Sequence, residues 1–310
     1  MSGFKIYKED KLNFSNEEKV KTLQSELKNR FGPVKAMLIV DKDNNKILEH
    51  SRRDFFDDSL VQIMAASNSI ASLLIGIAIE QGMIKSVNQT MKELLPEEKR
   101  NQINEKDDIT LEHLLTMTSG LNWPPPIVDF YPHEEDIRIV NDLQIVTTPG
   151  EKFKFSPDIH LTMCILEEAS GMKLGEFAEK YLFAPLGIDE FFWELSYAGY
   201  QGIYCRIQDF AKLGTLVLKK GNWNGTQIVN EKYLEEALTK KVFGEFPEIN
   251  DYGYHWWVTE SNGLKLNYAS GFGGQYLFVV PELEVVVAII SENDRAHLEN
   301  KELVLRYVLS

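Results

Sequence analysis

Serine hydroxyls are the groups in this sequence best suited to nucleophilic chemistry, and a serine needs a neighbouring base to attack a substrate. A serine and a lysine one helical turn apart share a helix face, so Ser-x-x-Lys is the simplest such pair. The string occurs as Ser25–Lys28 and as Ser170–Lys173. The first lies in a polar segment and the second at a predicted helix end, and neither precedes a buried apolar helix. We therefore attribute both to chance.

An apolar stretch, Ser67 to Gly82, contains three further serines, Ser67, Ser69 and Ser72. Its periodicity predicts a buried helix that ends at the glycine. From Asp54 to Ile84 the sequence has no Lys, Arg or His, so none of these serines is followed by a base one turn later.

No pattern in the sequence indicates a metal ion or a cofactor. The six histidines are scattered without the spacing of zinc ligands, and neither a phosphate loop nor a dinucleotide fingerprint is present. The segment His133-Glu134-Glu135-Asp136 comes nearest to a cation site, but we interpret it as an acidic exposed loop. We predict no metal site and no cofactor.

The charge balance excludes some partners. The 310 residues include 33 Lys and Arg against 47 Asp and Glu, a formal net charge of −14, which argues against nucleic-acid binding.

The longest uncharged apolar runs, Leu73–Ile79 and Val285–Ile290, are far shorter than the ~20 residues that span a bilayer. The first residues lack a signal-peptide pattern. Cys164 and Cys205 lie in apolar surroundings, which indicates free buried thiols. We expect a soluble, cytoplasmic protein without a membrane partner.

The N-terminal segments predict a helix followed by a hairpin. Residues 15 to 30 form an amphipathic pattern in which Ser15 and Glu18 match a capping box. Val34–Val40 and Lys46–His50 are strand-like and flank turn-forming residues, which predicts a β-hairpin.

Further along, the pattern is mainly helical from Lys85 to about Gly187, apart from the proline-rich Trp123–Pro126. Strands are predicted at Leu264–Tyr268, Gln275–Val280 and Glu284–Ser291, and a last helix at Ala296–Tyr307. Strands at both ends with helices between them favour one sheet built from both termini, with an inserted helical domain. We predict a discontinuous sheet domain (1–84 and 200–310) and a helical domain (85–199).

Six segments carry a more specific signal: His113–Leu121, Pro149–Phe153, Tyr181–Ile188, Arg206–Lys212, Tyr252–Trp257 and Gly271–Tyr276. In this order they resemble the serine β-lactamase and D-alanyl-D-alanine peptidase (penicillin-binding protein) superfamily, in its class C β-lactamase-like and esterase-like branch. The resemblance covers about residues 30 to 310. It implies an α/β (α+β) fold, in which an antiparallel sheet flanked by helices carries an inserted all-α domain. The active site would lie in the cleft between them.

That superfamily uses a Ser-x-x-Lys at a helix start, a Tyr-x-Asn on a loop and a Lys/His-x-Gly-type triplet on a strand. The resemblance places the serine on Ala65 and the lysine on Asn68, and the second motif on Phe155-Ser156-Pro157. The triplet becomes Ala269-Ser270-Gly271. The attacking hydroxyl, the amine and the phenol are therefore absent, whereas the glycine-rich backbone after the triplet is kept. No shift of alignment restores a base after a serine in this helix.

Two serines could replace the missing nucleophile. Ser67 lies about 200° around the helix from position 65, so it would point elsewhere. Ser156 is followed by Asp158, but a Ser-Asp pair without a histidine activates poorly, and Ser-Pro-Asp is common turn chemistry. We interpret the segment as a turn.

Backbone groups in the cleft remain available for binding. If Ala65 begins the helix, its amide and that of Phe272 point into the cleft and attract carbonyl oxygens or anions. The predicted ligand-binding residues are Ala65, Asn68, Phe155, Ser156, Ala269, Ser270, Gly271, Phe272 and Gln275. These positions favour a pseudoenzyme that binds a small carbonyl- or carboxylate-bearing ligand or a protein partner. Two alternatives stay open: a residual esterase, amidase or β-lactamase with a nonstandard nucleophile, and a scaffold whose cleft is closed.

Overall fold

A computed structural model describes residues 3–8, 11–100, 103, 106, 108–123, 142–193, 202–292 and 298–310. The acidic segment His133–Asp136 and the prolines 124–126 lie outside these residues.

A large antiparallel sheet forms the centre of the described structure. The strands are β1 (Gly3–Ile6), β2 (Val34–Asp41), β3 (Lys46–Ser51), β4 (Val61–Gln62), β5 (Phe192–Trp193), β6 (Ile203–Cys205), β7 (Asn222–Trp223), β8 (Thr226–Gln227), β9 (Val242–Gly244), β10 (Asn250–Tyr252), β11 (Trp257–Ser261), β12 (Leu264–Gly271), β13 (Gln275–Val280) and β14 (Val285–Ser291). Nine of them form one sheet in the order β1-β3-β2-β14-β13-β12-β11-β10-β9. Because β2 pairs with β14, the sheet joins early and late parts of the chain, as the sequence predicts.

Helices cover both faces of this sheet. They are α1 (Glu17–Asn29), α2 (Ser67–Glu80), α3 (Met91–Leu94), α4 (Glu97–Arg100), α5 (Leu111–Leu115), α6 (Asp158–Ser170), α7 (Leu174–Ala178), α8 (Ile207–Leu218), α9 (Glu231–Ala237) and α10 (Leu298–Leu303). A 3₁₀ turn, Met64–Ala66, precedes α2, and π turns follow α7 and α10. The mixed α/β architecture and the mainly helical segment between β4 and β6 confirm the predicted fold class.

The sheet separates two apolar cores, since successive residues of a strand point to opposite faces. In β2, Leu38 belongs to the core that contains α2, α6 and α8, whereas Ile39 belongs to the core under α1 and the C-terminal helix. In β12 the same alternation places Ala269 in the first core and Tyr268 in the second. The two faces of β12 therefore meet different surroundings.

Helix α2 lies deep in the first core. Every residue from Ser67 to Ala78 is buried, and Gly82 just beyond the helix has a φ of +70°. A methyl group at Gly76 would lie 2.5 Å from Cγ1 of Val229, so glycine allows a neighbouring segment to approach closely. The predicted buried helix is confirmed.

The hairpin of β2 and β3 is also confirmed, but the cap of α1 was predicted at the wrong residue. The side chain of Asn16, not Ser15, accepts hydrogen bonds from the amides of Glu18 and Lys19. The hydroxyl of Ser15 donates instead to Asn13. Asparagine caps helices as well as serine does, and position 16 is one residue closer to the first free amides.

Cys164 and Cys205 are both buried, and neither forms a disulfide, as expected. In the part of the chain that the structure describes, no helix has the length and apolar character needed to cross a membrane. The division into domains 1–84 with 200–310 and 85–199 stays a prediction.

Candidate active-site cleft

The tight turn that joins β4 to α2 carries Ala65. The amide of Ile63 donates to the carbonyl of Ile203 over 2.9 Å, which ties the turn to β6. Met64 has a φ of +53°, a conformation that residues other than glycine rarely adopt. Such backbone costs about 1–3 kcal/mol and is concentrated at functional sites. Ala65 follows it, half-buried, at the entrance to α2.

The end of β12 packs directly on this turn. A methyl group at Gly271 would lie 2.3 Å from the carbonyl oxygen of Ile63 and 3.2 Å from the amide nitrogen of Ala66. Only a glycine permits that approach. The structure therefore brings the first and third motif positions together, and Phe272 follows with its ring 58% exposed.

The second motif position, Phe155-Ser156-Pro157, leads into α6. Phe155 is half-buried and Ser156 is buried, and both line a cavity of about 470 Å³. The cavity continues over Met117, Ser119 and Leu121, and Glu245 and Phe246 of the β9–β10 loop form another part of its lining.

The serines of α2 have their hydroxyls engaged inside the protein. Ser67 accepts a hydrogen bond from the amide of Ile203 at 3.1 Å. Ser69 donates to the carbonyl of His255 at 2.5 Å, and Ser72 donates to the carbonyl of Tyr254 at 2.7 Å. All three are buried, so these hydroxyls support packing rather than attack on a substrate.

Asn68, three residues after Ala65, is buried. Its Oδ1 has no hydrogen-bond partner among the described residues. A buried polar atom without a partner costs about 1–3 kcal/mol.

The family model for beta-lactamase matches residues 36–307. The chain belongs to the beta-lactamase family. The 6-aminohexanoate-dimer hydrolase of Paenarthrobacter ureafaciens is 23% identical over 284 residues, which covers 82% of this chain and 71% of that protein.

Solved structures share the beta-lactamase-family fold. An octameric penicillin-binding protein homologue from Pyrococcus abyssi superposes with a TM-score of 0.73 at 18% identity, over 92% of this chain and 77% of that one. A penicillin-binding protein from Bacillus halodurans gives a TM-score of 0.72 at 15% identity, over 91% and 98%. At these identities the likeness concerns the fold alone.

Gln275 does not share the cavity of Phe155 and Ser156. Its amide donates to the carbonyl of Ser291 at 2.7 Å, and its side-chain oxygen accepts from the amide of the same residue at 3.1 Å. It lines a separate depression with Met64 and Phe272. Its role as a donor to a cleft ligand stays a prediction, and both of its polar atoms already have backbone partners.

Ser270 of the third motif leads to a buried polar cluster that the sequence did not reveal. Its hydroxyl donates to Oε1 of Glu248 at 2.5 Å, and the hydroxyl of Tyr276 reaches the same oxygen at 2.8 Å. Oε2 accepts from Tyr268 at 3.1 Å and from the ammonium of Lys301 at 2.6 Å. The side chain of Glu248 is fully enclosed.

Asp158, the first residue of α6, is a second buried carboxyl next to the cavity. Its Oδ1 accepts from Ser119 at 2.8 Å and from Nε1 of Trp123 at 2.7 Å. Oδ2 has no partner within the described ranges. Burial raises the pKa of Asp158 to about 6, although hydrogen bonds from Trp123 and Ser119 act in the opposite direction. The sequence suggested only a turn at this position.

Proposed function

We propose that this beta-lactamase-family protein has lost acyl-serine catalysis and binds a small carbonyl- or carboxylate-bearing ligand in its cleft. One observation carries the proposal. Where the strained turn meets Gly271, the side chain at the helix entrance is the methyl group of Ala65. Asn68, one turn later, has an amide in place of a base, and the α2 hydroxyls are engaged elsewhere.

The groups that remain are suited to binding. In enzymes that use a nucleophilic serine, removal of the hydroxyl leaves substrate binding and oxyanion stabilisation. The start of α2 carries a partial positive charge that favours anions and carbonyl oxygens. Asn68 lies one turn further along, and its Oδ1, which is buried and has no partner among the described residues, would become an acceptor if the cleft opens onto it.

The cavity beside Phe155 suits a small and mostly apolar ligand. Its volume of about 470 Å³ lies in the range of small-molecule sites. Met117, Leu121 and Phe155 supply apolar surface, and Lys152 and Lys154 supply positive charge at its edge. We therefore favour a ligand with an apolar body and one anionic end.

Intact-protein mass spectrometry tests the loss of catalysis. The folded chain is incubated with benzylpenicillin and, separately, with a fluorophosphonate, and no mass increase is expected from either. A stoichiometric adduct that forms on the folded chain, but not on the urea-unfolded chain, would overturn the proposal.

Residual hydrolysis is the second candidate, and the contact between Ser270 and Glu248 favours it. A hydroxyl that donates to a carboxylate at 2.5 Å has a proton acceptor beside it. A carboxylate is a weak base for a serine, since general-base catalysis works best with a pKa near the working pH. Turnover of nitrophenyl esters that is abolished by Ser270→Ala and unchanged in Ser67→Ala would establish this candidate.

A further inference from the structure

We infer that Ser270, Tyr276, Tyr268 and Lys301 form a carboxylate-binding site that the chain fills with its own Glu248. A ligand with a free carboxylate would compete with Glu248 for these donors. The use of the site in ligand binding rests on the proposed function, whereas the existence of the site does not.

The donors match the requirements of a carboxylate. Each oxygen of Glu248 receives two hydrogen bonds: Ser270 and Tyr276 donate to Oε1, and Tyr268 and Lys301 donate to Oε2. An ionised carboxylate accepts about four hydrogen bonds and donates none. A buried charge also needs an opposite charge, which the ammonium of Lys301 supplies. The set is therefore specific for an anion with two acceptor oxygens.

Three of the four donors lie on strands in the interior of the large sheet. Tyr268 and Ser270 lie two residues apart on β12, on one face, and Tyr276 pairs with Ser270 across β13. Both strands lie inside the nine-stranded sheet. Asn250 also donates to the hydroxyl of Tyr268 at 2.7 Å, which helps to orient it. The geometry of the donors is thus fixed mainly by strands that do not depend on Glu248.

The acceptor comes from a short loop between β9 and β10. In this loop Phe246 is 72% exposed and Ile249 is 65% exposed, whereas Glu248 is 3% exposed. Glu248 is therefore the residue of the loop that reaches inward, and its side chain attaches the loop to the sheet.

The same loop contributes Glu245 and Phe246 to the lining of the 470 Å³ cavity. Displacement of Glu248 from its donors would release that wall. A carboxylate ligand that takes the place of Glu248 would accept the hydrogen bond from Ser270 and would also widen the cavity. The ligand must then displace Glu248, so its apparent affinity is lowered by the free energy of the contacts that Glu248 makes with the same donors.

The variant Glu248→Ala tests the site, because it removes a group of the size of acetate. Thermal unfolding is followed with increasing sodium acetate against sodium chloride at equal ionic strength. Acetate should stabilise the variant saturably, and tenfold above its Kd it should lower the unfolding equilibrium constant about tenfold. The wild-type protein should not respond.

Glu112→Ala is the matched control. Glu112 also accepts a tyrosine hydroxyl, from Tyr254 at 2.7 Å, and lies 3.9 Å from Lys241, but it is partly exposed. Acetate should not stabilise this variant. A folded Glu248→Ala protein without an acetate response, or an equal response in Glu112→Ala, would overturn the inference.

A second experiment applies even if Glu248→Ala does not fold. Glu248→Gln keeps the shape but supplies an amide to four donors, so its unfolding equilibrium constant in urea should rise at least tenfold. The rise should be smaller when Lys301→Met is already present, since the lost charge pair is then absent from both proteins. Equal stability of Glu248→Gln and wild type would contradict a site specific for carboxylate. A penicillin adduct, in contrast, would refute the proposed loss of catalysis and leave this site unaffected.

Discussion

Asp158 shows what one enclosed carboxyl does to the stability of this protein. Burial raises its pKa to about 6 in the folded state, whereas an unfolded aspartate titrates near pH 4. The folded state therefore binds the proton more tightly than the unfolded state. The contribution of Asp158 to the stability of the folded protein therefore falls as the pH rises from about 4 to about 6, and it stays constant above that.

We predict that Asp158→Asn removes this dependence. Since one pKa unit corresponds to about 1.4 kcal/mol and the unfolded aspartate is already half titrated at pH 4, wild type should lose roughly 2 kcal/mol relative to the variant between pH 4 and pH 7. Urea unfolding of both proteins across this range measures the difference. Burial lowers the pKa of His50 to about 4 and of His255 to about 3, but these groups titrate in both proteins and cancel. A difference that is constant with pH would contradict the prediction.

At the residue scale, the sequence allows predictions for motif positions but not for the buried polar clusters. Ala65 and Asn68 could be found by counting along one helix, because a motif with fixed spacing is local. The cluster around Glu248 joins residues from four separate segments, and no local pattern signals that they meet. Burial raises the pKa of Asp158, and its hydrogen-bond partners Ser119 and Trp123 lie 39 and 35 residues earlier, too far apart for a local pattern to reveal.

At the scale of elements, the first helix offers a clean test of capping. Asn16→Ala should destabilise the protein by about 1 kcal/mol, since the amides of Glu18 and Lys19 lose their acceptor. Ser15→Ala serves as the control and should have almost no effect, because that hydroxyl contacts only the exposed Asn13 in the described structure. Urea midpoints measure both. Equal losses for the two variants would contradict the assignment of the cap.

The contact between β12 and the turn before α2 predicts a larger effect. A methyl group at Gly271 would overlap the carbonyl oxygen of Ile63, which is backbone and cannot move aside cheaply. Gly271→Ala should therefore destabilise the protein by about 1–3 kcal/mol. Gly175→Ala is the control, as a methyl group there meets nothing within 4 Å, and it should be neutral or slightly stabilising. If both variants unfold at the wild-type midpoint, the close contact between Gly271 and the turn before α2 is contradicted.

Element types were predictable here because periodicity is a local property. The hairpin of β2 and β3 and the buried helix α2 follow from alternation and from an unbroken apolar run. The prediction of the cap was wrong because Ser15 and Asn16 are both good capping residues, and the backbone conformation determines which of them faces the free amides.

At the scale of the whole molecule, the fold predicts that catalysis can be restored. The variant Ala65→Ser, Asn68→Lys, Phe155→Tyr should hydrolyse nitrophenyl acetate at least tenfold faster than wild type, because the turn and Gly271 already hold the backbone of the site. Ala65→Ser alone is the control and should gain little without a base. A correctly folded triple variant without turnover would indicate that Pro157 or the neighbouring loops have reshaped the cleft.

The architecture itself was within reach of the sequence, since strands at both ends and helices between them leave few ways to build one sheet. What could not be predicted is the order of strands at the far edge, where β9 and β10 bring Glu248 to the donors. Those strands are only three residues each, too short for an alternating pattern to stand out, although each pairs with the next strand along the chain.

The pairing of β2 with β14 also determines when the sheet can be completed during synthesis. Val34 to Asp41 has its central neighbour at Val285 to Ser291, about 250 residues further along the chain. During synthesis the early hairpin therefore has one open edge until residues 285 to 291 have also left the ribosome. At roughly 5–20 residues per second, this interval is on the order of ten seconds or more. A chaperone that shields β-edges should bind chains that are truncated before residue 285, and should not bind released chains that extend beyond residue 291.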